Sequence, residues 1–383
     1  MQEADIKFLE DSFKKYYFEH FDLIRVPERT FEREFGYQKF NSGMTRHISI
    51  KDDKELHLLF MQNIPSDVYC SNAYYSFPNL PMNEKDWKEA DLIFDIDAKD
   101  LNLSCRENHT VSICNECKQV SKISEHCLKC NSTKIEKKSL PCKNCIDSSK
   151  TEVSKLSEIL IDDLAIDQEN IHVYFSGNEG FHVYVHGSQF QQIGSRERSE
   201  LADYIMFNGI IPETFGMKKF KPNRSSFPDF NEKGWRGRFS KQVFSSKSKR
   251  SKIISELLVN GYSSFQKTLD NVSENIGVKI DPNVTMDIHR IFRLPGSINS
   301  KSGLRDIRIV EGTHGDSPQR AIGSLARPTV ARTPLTNAPS TTGRRQIART
   351  RRVNVLIAVR AYRPNGPTGN SPVRQGGETV TLR

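Results

Sequence analysis

The stretch that decides the fold reads Asp91-Leu92-Ile93-Phe94-Asp95-Ile96-Asp97. Its apolar residues predict a short buried strand, on which successive side chains point to opposite faces. Asp95 and Asp97 then share one face, about 7 Å apart, and two carboxylates in an apolar setting repel each other. A divalent cation such as Mg²⁺ removes that repulsion. The stretch therefore predicts a metal site, although a solvated strand end would carry the same pattern.

The chain as a whole has the composition of a globular protein with one or two domains. Of its 383 residues, 36% are hydrophobic and 27% are charged, and the net charge of +9 favours an anionic partner. No apolar run approaches the roughly 18 residues of a membrane span, and the first residues lack the apolar segment of a signal peptide. We therefore expect an intracellular protein without a membrane partner, whose cysteines are free thiols or metal ligands.

An amphipathic helix and a pair of strands are expected before the acidic strand. Residues 1–20 carry the apolar periodicity of a helix. Residues 31–40 and 46–50 alternate apolar and polar side chains, as antiparallel strands do. On this pattern alone, Glu34 and Arg46 belong to the solvated face of the pair.

Seven of the eight cysteines lie in residues 105–145. Six of them form three Cys-x2-Cys pairs, which are Cys114/Cys117, Cys127/Cys130 and Cys142/Cys145, and Cys105 and His109 precede them. A Cys-x2-Cys turn brings two thiolates to one ion, and two such turns complete a tetrahedral zinc site. Eight candidate ligands are most simply explained by two Zn²⁺ sites. Four protein ligands leave no open position, so both sites would be structural.

These eight ligands can be divided between two sites in two ways. In the favoured division one site is a compact ribbon of Cys114, Cys117, Cys127 and Cys130. The second site, at the base of the ribbon, then consists of Cys105, His109, Cys142 and Cys145. The alternative joins Cys105, His109, Cys114 and Cys117, and leaves Cys127, Cys130, Cys142 and Cys145.

A glycine-bearing turn joins two further predicted strands, residues 171–175 and 181–185. The turn reads Ser176-Gly177-Asn178-Glu179-Gly180, and its glycines let backbone N–H groups approach an anion closely. His182 points to the face opposite Phe181 and Val183. A strand histidine is more often packed or solvated than a ligand. With Ser176 at the mouth of the hairpin, however, His182 could help to hold a triphosphate.

The last part of the body carries basic and acidic signals. Residues 190–276 look mainly helical, and within them Trp235-Arg236-Gly237-Arg238-Phe239 fits either nucleic-acid contact or a solvated basic face. A third carboxylate, Asp281, follows, and Arg293 and Lys301 flank a Pro-Gly loop. After Lys301 the chain contains no lysine but 14 arginines. We interpret residues 312–383 as a disordered or non-native tail without chemistry, with a basic nucleic-acid-binding arm as the alternative.

Together, in this order and spacing, the motifs of residues 10–310 resemble the small, catalytic subunit of the archaeal and eukaryotic type of DNA primase. They are Arg33-Glu34-Phe35 with Arg46, Tyr74-Tyr75, Asp91 to Asp97, Ser176-Gly177 with Gly180 and His182, Asp281-Pro282-Asn283-Val284-Thr285, and Arg293-Leu294-Pro295-Gly296-Ser297. Each motif is weak alone, and their joint order is specific. The chain departs from the family pattern at Asn178-Glu179, where arginine is common, and at Asn299, where histidine is common.

The resemblance implies a role for each candidate site residue. Asp95, Asp97 and Asp281 would bind two Mg²⁺ or Mn²⁺ ions, with Asp281 reaching in from a neighbouring strand. Ser176, Gly177 and His182 would contact the phosphates of the incoming nucleotide. Arg46, Arg293 and Lys301 would neutralise triphosphate charge, and Glu34 would orient Arg46. Because Glu179 is acidic, its turn would bind phosphate through the backbone alone. The resemblance also favours the division that pairs Cys142 and Cys145 with Cys105 and His109.

The implied fold is the α/β archaeo-eukaryotic primase fold, with two mixed-sheet layers that form a catalytic cleft. The core would comprise residues 1–104, 146–189 and 277–311, with a zinc-binding module at 105–145 and a helical insertion at 190–276. The implied activity is the synthesis of short RNA primers on single-stranded DNA from nucleoside triphosphates; whether DNA primers are also made, the sequence leaves open. A large regulatory subunit would complete a heterodimer at the replication machinery, in the cytoplasm or nucleoid. The alternatives are a non-catalytic zinc-ribbon nucleic-acid-binding protein and a repair polymerase of the same superfamily.

Overall fold

A computed structural model of the chain describes residues 3–140, 142–220 and 223–309. The tail expected at residues 312–383 lies outside these ranges. Within them the chain forms eight α-helices and thirteen strands, joined by loops and short 3₁₀ turns. No helix in the described ranges combines the length and the apolar character that crossing a membrane requires.

The helices and strands follow one another in an irregular order along the chain. The helices are α1 (Glu3–Glu19), α2 (Asp53–Asn63), α3 (Arg106–His109), α4 (Lys143–Asp162), α5 (Ser195–Met206), α6 (Gly234–Phe244), α7 (Lys247–Ile276) and α8 (Pro282–Met286). The strands are β1 (Glu34–Gln38), β2 (Met44–Ser49), β3 (Asp67–Ser71), β4 (Ala73–Tyr75), β5 (Trp87–Ala90), β6 (Leu92–Asp97), β7 (Thr110–Cys114), β8 (Val120–Lys122), β9 (Ile135–Ser139), β10 (Ile171–Phe175), β11 (Gly180–Val185), β12 (Ile291–Arg293) and β13 (Ile307–Ile309).

Two four-stranded sheets form the body of the fold. The first sheet has the order β12-β3-β1-β2, and the second has the order β13-β10-β11-β6. The predicted two-layer α/β architecture is confirmed. The described strand pairs are antiparallel, however, and the sheets are not mixed. Short turns, which join only antiparallel neighbours, account for the pairs β1–β2 and β10–β11. The remaining pairs join strands that are distant in the chain, so no turn fixes their direction.

The apolar core lies on both sides of the first sheet. One face packs on α1 and α2 through a buried cluster that includes Phe13, Tyr17, Phe35 and Phe60. A second cluster joins the two sheets and consists of Ile93, Tyr174, Tyr184, Val284 and Phe292. Each such side chain contributes about 1.5–3 kcal/mol when fully buried. The acidic strand β6 is thereby fixed against the first sheet through Ile93.

Helices α5 to α7 form an aromatic core of their own, and the nucleic-acid contact that the sequence left open within this part stays untested. Trp235 and Phe239 are buried. The arginines between them are engaged inside the protein, because Arg236 pairs with Glu232 and Arg238 pairs with Asp163. The interleaved pattern therefore records an amphipathic helix with a buried aromatic face. These helices fall within residues 190–276, and the boundaries of the insertion stay a prediction.

A small three-stranded sheet, in the order β8-β7-β9, lies between β6 and α4 in the chain. We call residues 105–145, which include this sheet, the cysteine module. The described side chains of its strands are largely exposed or half-buried, and Ser112 and Cys114 are the buried ones. A segment with so little apolar core depends on another source of stability.

Candidate active site

The acidic strand lies directly beside the glycine-bearing hairpin. In the β6–β11 pair Asp95 faces His182 and Asp97 faces Gly180. Because directly opposed residues of an antiparallel pair point to the same face, these side chains share one side of the sheet. His182 Nε2 lies 3.6 Å from Asp95 Oδ1.

Gly180 is required by the close approach of the Asp97 carboxylate. A Cβ added at residue 180 would overlap a carboxylate oxygen of Asp97 and the carbonyl oxygen of Ile96. Only glycine leaves this space. The turn and the acidic strand therefore constrain each other at Asp97.

Asp281 is tied to the acidic strand by its backbone and lies at the start of a helix. Its backbone N–H donates to the Asp95 carbonyl at 2.9 Å, and its side chain accepts from Asn283 N–H at 3.0 Å as the N-cap of α8. The expectation that Asp281 lies on a strand is therefore wrong. Pro282 occupies the first turn of α8, where its fixed φ favours a helix, and aspartate is a preferred cap.

The three carboxylates create an electrostatic conflict around Asp95. Burial, followed by repulsion from Asp97 and Asp281, raises the pKa of Asp95 to about 7, against the attraction of Lys99. Asp95 Oδ1 is buried and has no hydrogen-bond partner among the described residues. Asp97 accepts a hydrogen bond from Lys99 Nζ at 2.7 Å. An unpartnered carboxylate oxygen beside two further acids fits a hard divalent cation such as Mg²⁺ or Mn²⁺.

A cavity of about 740 Å³ opens beside Asp95 and Asp97, and we call it the cleft; Asp281 is not among the residues that line it. Its volume lies in the range of small-molecule sites. It is lined by the predicted site residues Asp95, Asp97, Ser176, His182, Arg293 and Lys301. It is also lined by residues that the sequence did not single out as site residues, among them Asp67, Tyr69, Lys138 and Asn178.

The loop that follows β12 holds the hairpin turn in place. Asn299 Nδ2 donates to the Ser176 carbonyl at 3.0 Å, and Ser302 Oγ donates to the Gly177 carbonyl. Gly177 has a φ of +78°, in the left-handed region that favours glycine. Asn299 thus supports the turn through this hydrogen bond. Histidine is common at this position in the family that the motifs resemble.

Arg293 lines the cleft in an ion pair that the sequence did not indicate. Its Nη1 donates to Asp67 Oδ1 at 2.6 Å and to the Ile298 carbonyl at 2.9 Å. Asp67 comes from the start of β3, more than two hundred residues away in the chain, so no local pattern marks it. Lys301 is exposed, and its backbone N–H donates to Asn299 Oδ1 at 3.0 Å.

Glu34 and Arg46 pair with each other on the first sheet. Arg46 Nε donates to Glu34 Oε1 at 2.9 Å, and Arg46 Nη2 donates to Glu34 Oε2 at 3.2 Å. The His47 backbone N–H also donates to Glu34, and Lys85 Nζ lies 3.5 Å from it. Neither Glu34 nor Arg46 is among the residues that line the cleft.

His182 is held neutral by its surroundings. Burial lowers its pKa to about 4, and its Nδ1 has no hydrogen-bond partner among the described residues. Asp306 Oδ2 lies 3.9 Å from this nitrogen. Asp306 is buried as well, and burial raises its pKa well above the usual range. No pattern in the sequence points to Asp306, because it lies outside the motifs.

The cysteine module gathers its ligands into the two groups that the sequence favoured. One contains Cys114, Cys117, Cys127 and Cys130, and the other contains Cys105, His109, Cys142 and Cys145. The donor atoms of each group lie within 4.8 Å of one another. In the second group Cys145 Sγ is 3.6 Å from Cys105 Sγ and 3.2 Å from His109 Nε2. Ligands of a tetrahedral Zn–S site are about 3.8 Å apart, so both groups fit zinc.

Glu179 connects the second group to the hairpin turn. Its carboxylate is buried and accepts hydrogen bonds from Arg106 Nη1 at 3.1 Å and from Ser139 Oγ. Ser139 Oγ also lies 3.2 Å from His109 Nδ1. The acidic residue in the turn therefore faces the module, and these contacts neutralise the charge that was expected to repel phosphate.

Comparison with known proteins gives one consistent family. Residues 94–310 match the family model described as DNA primase small subunit. The DNA primase small subunit PriS of Nitrosopumilus maritimus is 83% identical over 307 residues, which cover 80% of this chain and 82% of that protein. The protein of the same name from Cenarchaeum symbiosum is 53% identical over the same shares. The one from Pyrobaculum arsenaticum is 30% identical over 296 residues, 76% of this chain and 74% of that protein.

Proposed function

The chain belongs to the DNA primase small-subunit family, and from this premise we propose that it synthesises short RNA primers on single-stranded DNA by two-metal nucleotidyl transfer. Membership makes it a polymerase-type nucleotidyltransferase of DNA replication, acting on nucleic acid and nucleotides. The observation that supports the finer proposal is the pairing of the strand of Asp95 and Asp97 with the hairpin of Ser176 and His182, together with the hydrogen bond from the Asp281 backbone to Asp95. These acids come from two distant parts of the chain.

The three carboxylates would hold two Mg²⁺ or Mn²⁺ ions. When bound, such ions stabilise the attacking and leaving oxygens of an in-line displacement. Asp95 must give up its proton to act as a ligand, because its pKa is raised to about 7. Asp97 and Asp281 are already positioned, the first by Lys99 and Gly180 and the second by its place at the start of α8.

The triphosphate of the incoming nucleotide would lie between the hairpin turn and the loop after β12. Ser176 and the backbone N–H groups of the turn would donate to phosphate oxygens, and His182 would do so from the strand. Arg293 and Lys301 would supply positive charge across the cleft. Arg46, oriented by Glu34, would also neutralise triphosphate charge. Such a site accelerates phosphoryl transfer mainly by positioning and by charge neutralisation.

Zinc in the cysteine module would be structural, since each group offers four ligands and no open position. The family also implies a large regulatory subunit, with which the chain would form a heterodimer at the replication machinery. Single-stranded DNA would be the template and nucleoside triphosphates the substrates.

A primer-synthesis assay on single-stranded template tests this function. The full chain should incorporate labelled ribonucleotides without a preformed primer and only when Mg²⁺ or Mn²⁺ is present. Asp95→Asn should abolish incorporation, because it removes a carboxylate that would hold the catalytic metal ions. Asp100→Asn is the matched control, since Asp100 is exposed and lies five residues after Asp95.

The outcomes separate the proposal from its rivals. Binding of single-stranded DNA without incorporation would favour a zinc-ribbon nucleic-acid-binding protein. Extension of preformed primers without initiation would favour a repair polymerase of the same superfamily. Equal incorporation by Asp95→Asn and by the unmodified chain would contradict the metal site.

A further inference from the structure

Lys138 belongs to the cysteine module but lines the cleft. It lies on β9, and the cavity beside it is also lined by Asp95, Asp97 and Ser176. Its neighbour Lys137 is not among the lining residues and pairs with Glu125 at 2.5 Å. Successive residues of a strand point to opposite sides, so only one of these two lysines is presented to the cleft.

The ammonium group of Lys138 is available to a ligand. It has no acidic partner within 4.0 Å among the described residues. By contrast, Arg293 is paired with Asp67 at 2.6 Å and Lys99 with Asp97 at 2.7 Å. A lysine ammonium is a compact charge on a flexible chain, and it binds phosphate oxygens through charge-assisted hydrogen bonds.

The strand that carries Lys138 is anchored at its end to the catalytic hairpin. Ser139, the next residue, donates to Glu179 in the hairpin turn. The Leu140 backbone N–H donates to the His109 carbonyl at 2.9 Å, which ties β9 to a predicted zinc ligand. Lys138 is therefore held beside the turn that would bind phosphate, and not on a free-standing arm.

We propose that Lys138 is a phosphate-binding residue of the cleft and that it contacts the triphosphate of the incoming nucleotide. This inference rests on the proposed function and extends it to a residue outside the family motifs. Ser176 and Asn178 of the turn line the same cavity as Lys138 and would contact the same phosphates. A phosphodiester of the template strand could bind the same ammonium group. The experiment below distinguishes the triphosphate from the template phosphodiester.

The test compares Lys138→Met with Lys137→Met in the full, zinc-loaded chain. Nucleotide binding is measured by calorimetry with ATP and Mn²⁺, and strand binding by fluorescence anisotropy with labelled oligothymidylate at several salt concentrations. Zinc content and thermal unfolding serve as controls for folding, and both should match the unmodified chain in each variant. We expect Lys138→Met to weaken ATP binding about tenfold, the scale of one charge-assisted hydrogen bond, and Lys137→Met to change it less than about twofold.

Each outcome bears on the inference. A loss confined to ATP supports the nucleotide as the source of the phosphate. A loss confined to the oligonucleotide, with the salt slope reduced by about 0.7, would keep Lys138 as a phosphate ligand but assign it to the template. If the unmodified chain binds ATP, and Lys138→Met and Lys137→Met have equal affinities for ATP and for the oligonucleotide, the inference is overturned. Failure of the unmodified chain to bind ATP or the oligonucleotide would overturn the proposed function itself.

Discussion

The cleft and the cysteine module both bring together candidate site residues, but they do so in opposite ways. The cleft takes Asp95, His182 and Arg293 from distant parts of the chain, and the packed sheets hold them in place. The module takes both of its ligand groups from residues 105–145 and has few buried side chains. The cleft residues are brought together by the folded sheets, whereas the module would need bound zinc in order to fold. Metal loss should therefore have different consequences in the two regions.

The largest expected effect is in the module. Cys127→Ser and Cys145→Ser each remove one ligand from one group, and each should reduce bound zinc from two ions per chain to one. Structural zinc contributes about 10 kcal/mol or more in small domains, so the affected part should unfold locally. Mass spectrometry measures the number of bound zinc ions, and limited proteolysis within residues 115–135 detects the local unfolding.

Cys70→Ser is the matched control for both cysteine variants, because Cys70 is buried in the first sheet away from either group. It should keep both zinc ions. Cooperative unfolding of the whole chain on loss of the ribbon zinc would contradict the contrast between the two regions.

The next largest effect is expected at Gly180. Gly180→Ala forces the Asp97 carboxylate to move, because the added methyl group would overlap it. We expect primer synthesis to fall about a hundredfold, as small displacements of catalytic groups do, with zinc content unchanged. Gly43→Ala is the control, since a Cβ there meets nothing within 4 Å. An active Gly180→Ala variant would show that the position of Asp97 is not critical.

A smaller, graded effect should follow pH. The folded chain raises the pKa of Asp95 from 3.8 to about 7, so between these values the metal-free fold binds one more proton than the unfolded chain. Its stability should therefore fall as pH rises from about 4 to about 7. Mg²⁺ competes with the same proton, so its apparent affinity should drop about tenfold per pH unit below 7.

Thermal unfolding of zinc-loaded chain in magnesium-free buffer, together with Mg²⁺ titrations at several pH values, measures both parts of this pH dependence. Asp95→Asn is the reference, and it should flatten the stability profile between pH 4 and 7. A profile that keeps its slope in this variant would place the titrating group elsewhere.

The smallest effect is expected where the two regions join. Glu179→Gln keeps the size of the side chain but weakens its hydrogen bonds with Arg106 and Ser139. We expect a loss of about 1–2 kcal/mol in the free energy of unfolding and a severalfold weaker binding of ATP. Denaturant unfolding and calorimetry measure these changes. A variant with normal ATP affinity would mean that the module does not influence the cleft through Glu179.

Local patterns predicted those parts of the site in which neighbouring residues act together. Asp95 and Asp97 alternate on one strand, and the Cys-x2-Cys spacing brings both zinc groups together without any knowledge of the fold. The motifs of the resembled family assigned Asp95, Asp97, Ser176 and His182 to one site, and the pairing of β6 with β11 brings these residues together. The resemblance to the family also predicted the two layers. It did not predict the direction of strands that are distant in the chain, because the long segments between them allow either direction.

The residues that sequence reasoning missed are defined by distant partners. Asp67 gains its role only when Arg293 lies against it, and Asp306 only when His182 does. Lys138 cannot be distinguished from Lys137 until the register of β9 is known. For Trp235 and Arg238 the sequence pattern was ambiguous. An amphipathic helix that packs on a helical core and a nucleic-acid-binding surface can show the same alternation of aromatic and basic residues.

The hydrogen bonds from Asn299 and Ser302 to the hairpin turn also have a consequence for the order of events on the ribosome. The acidic strand and the hairpin are synthesised long before the loop that supports the turn. At about 5–20 residues per second, the roughly two hundred residues between Asp97 and Asn299 take some 10–40 s to translate. During that interval the nascent chain carries its acidic strand without the finished turn. The hairpin turn can therefore be completed only after Asn299 and Ser302 have been synthesised, so a chain that is released before that point would lack the finished cleft.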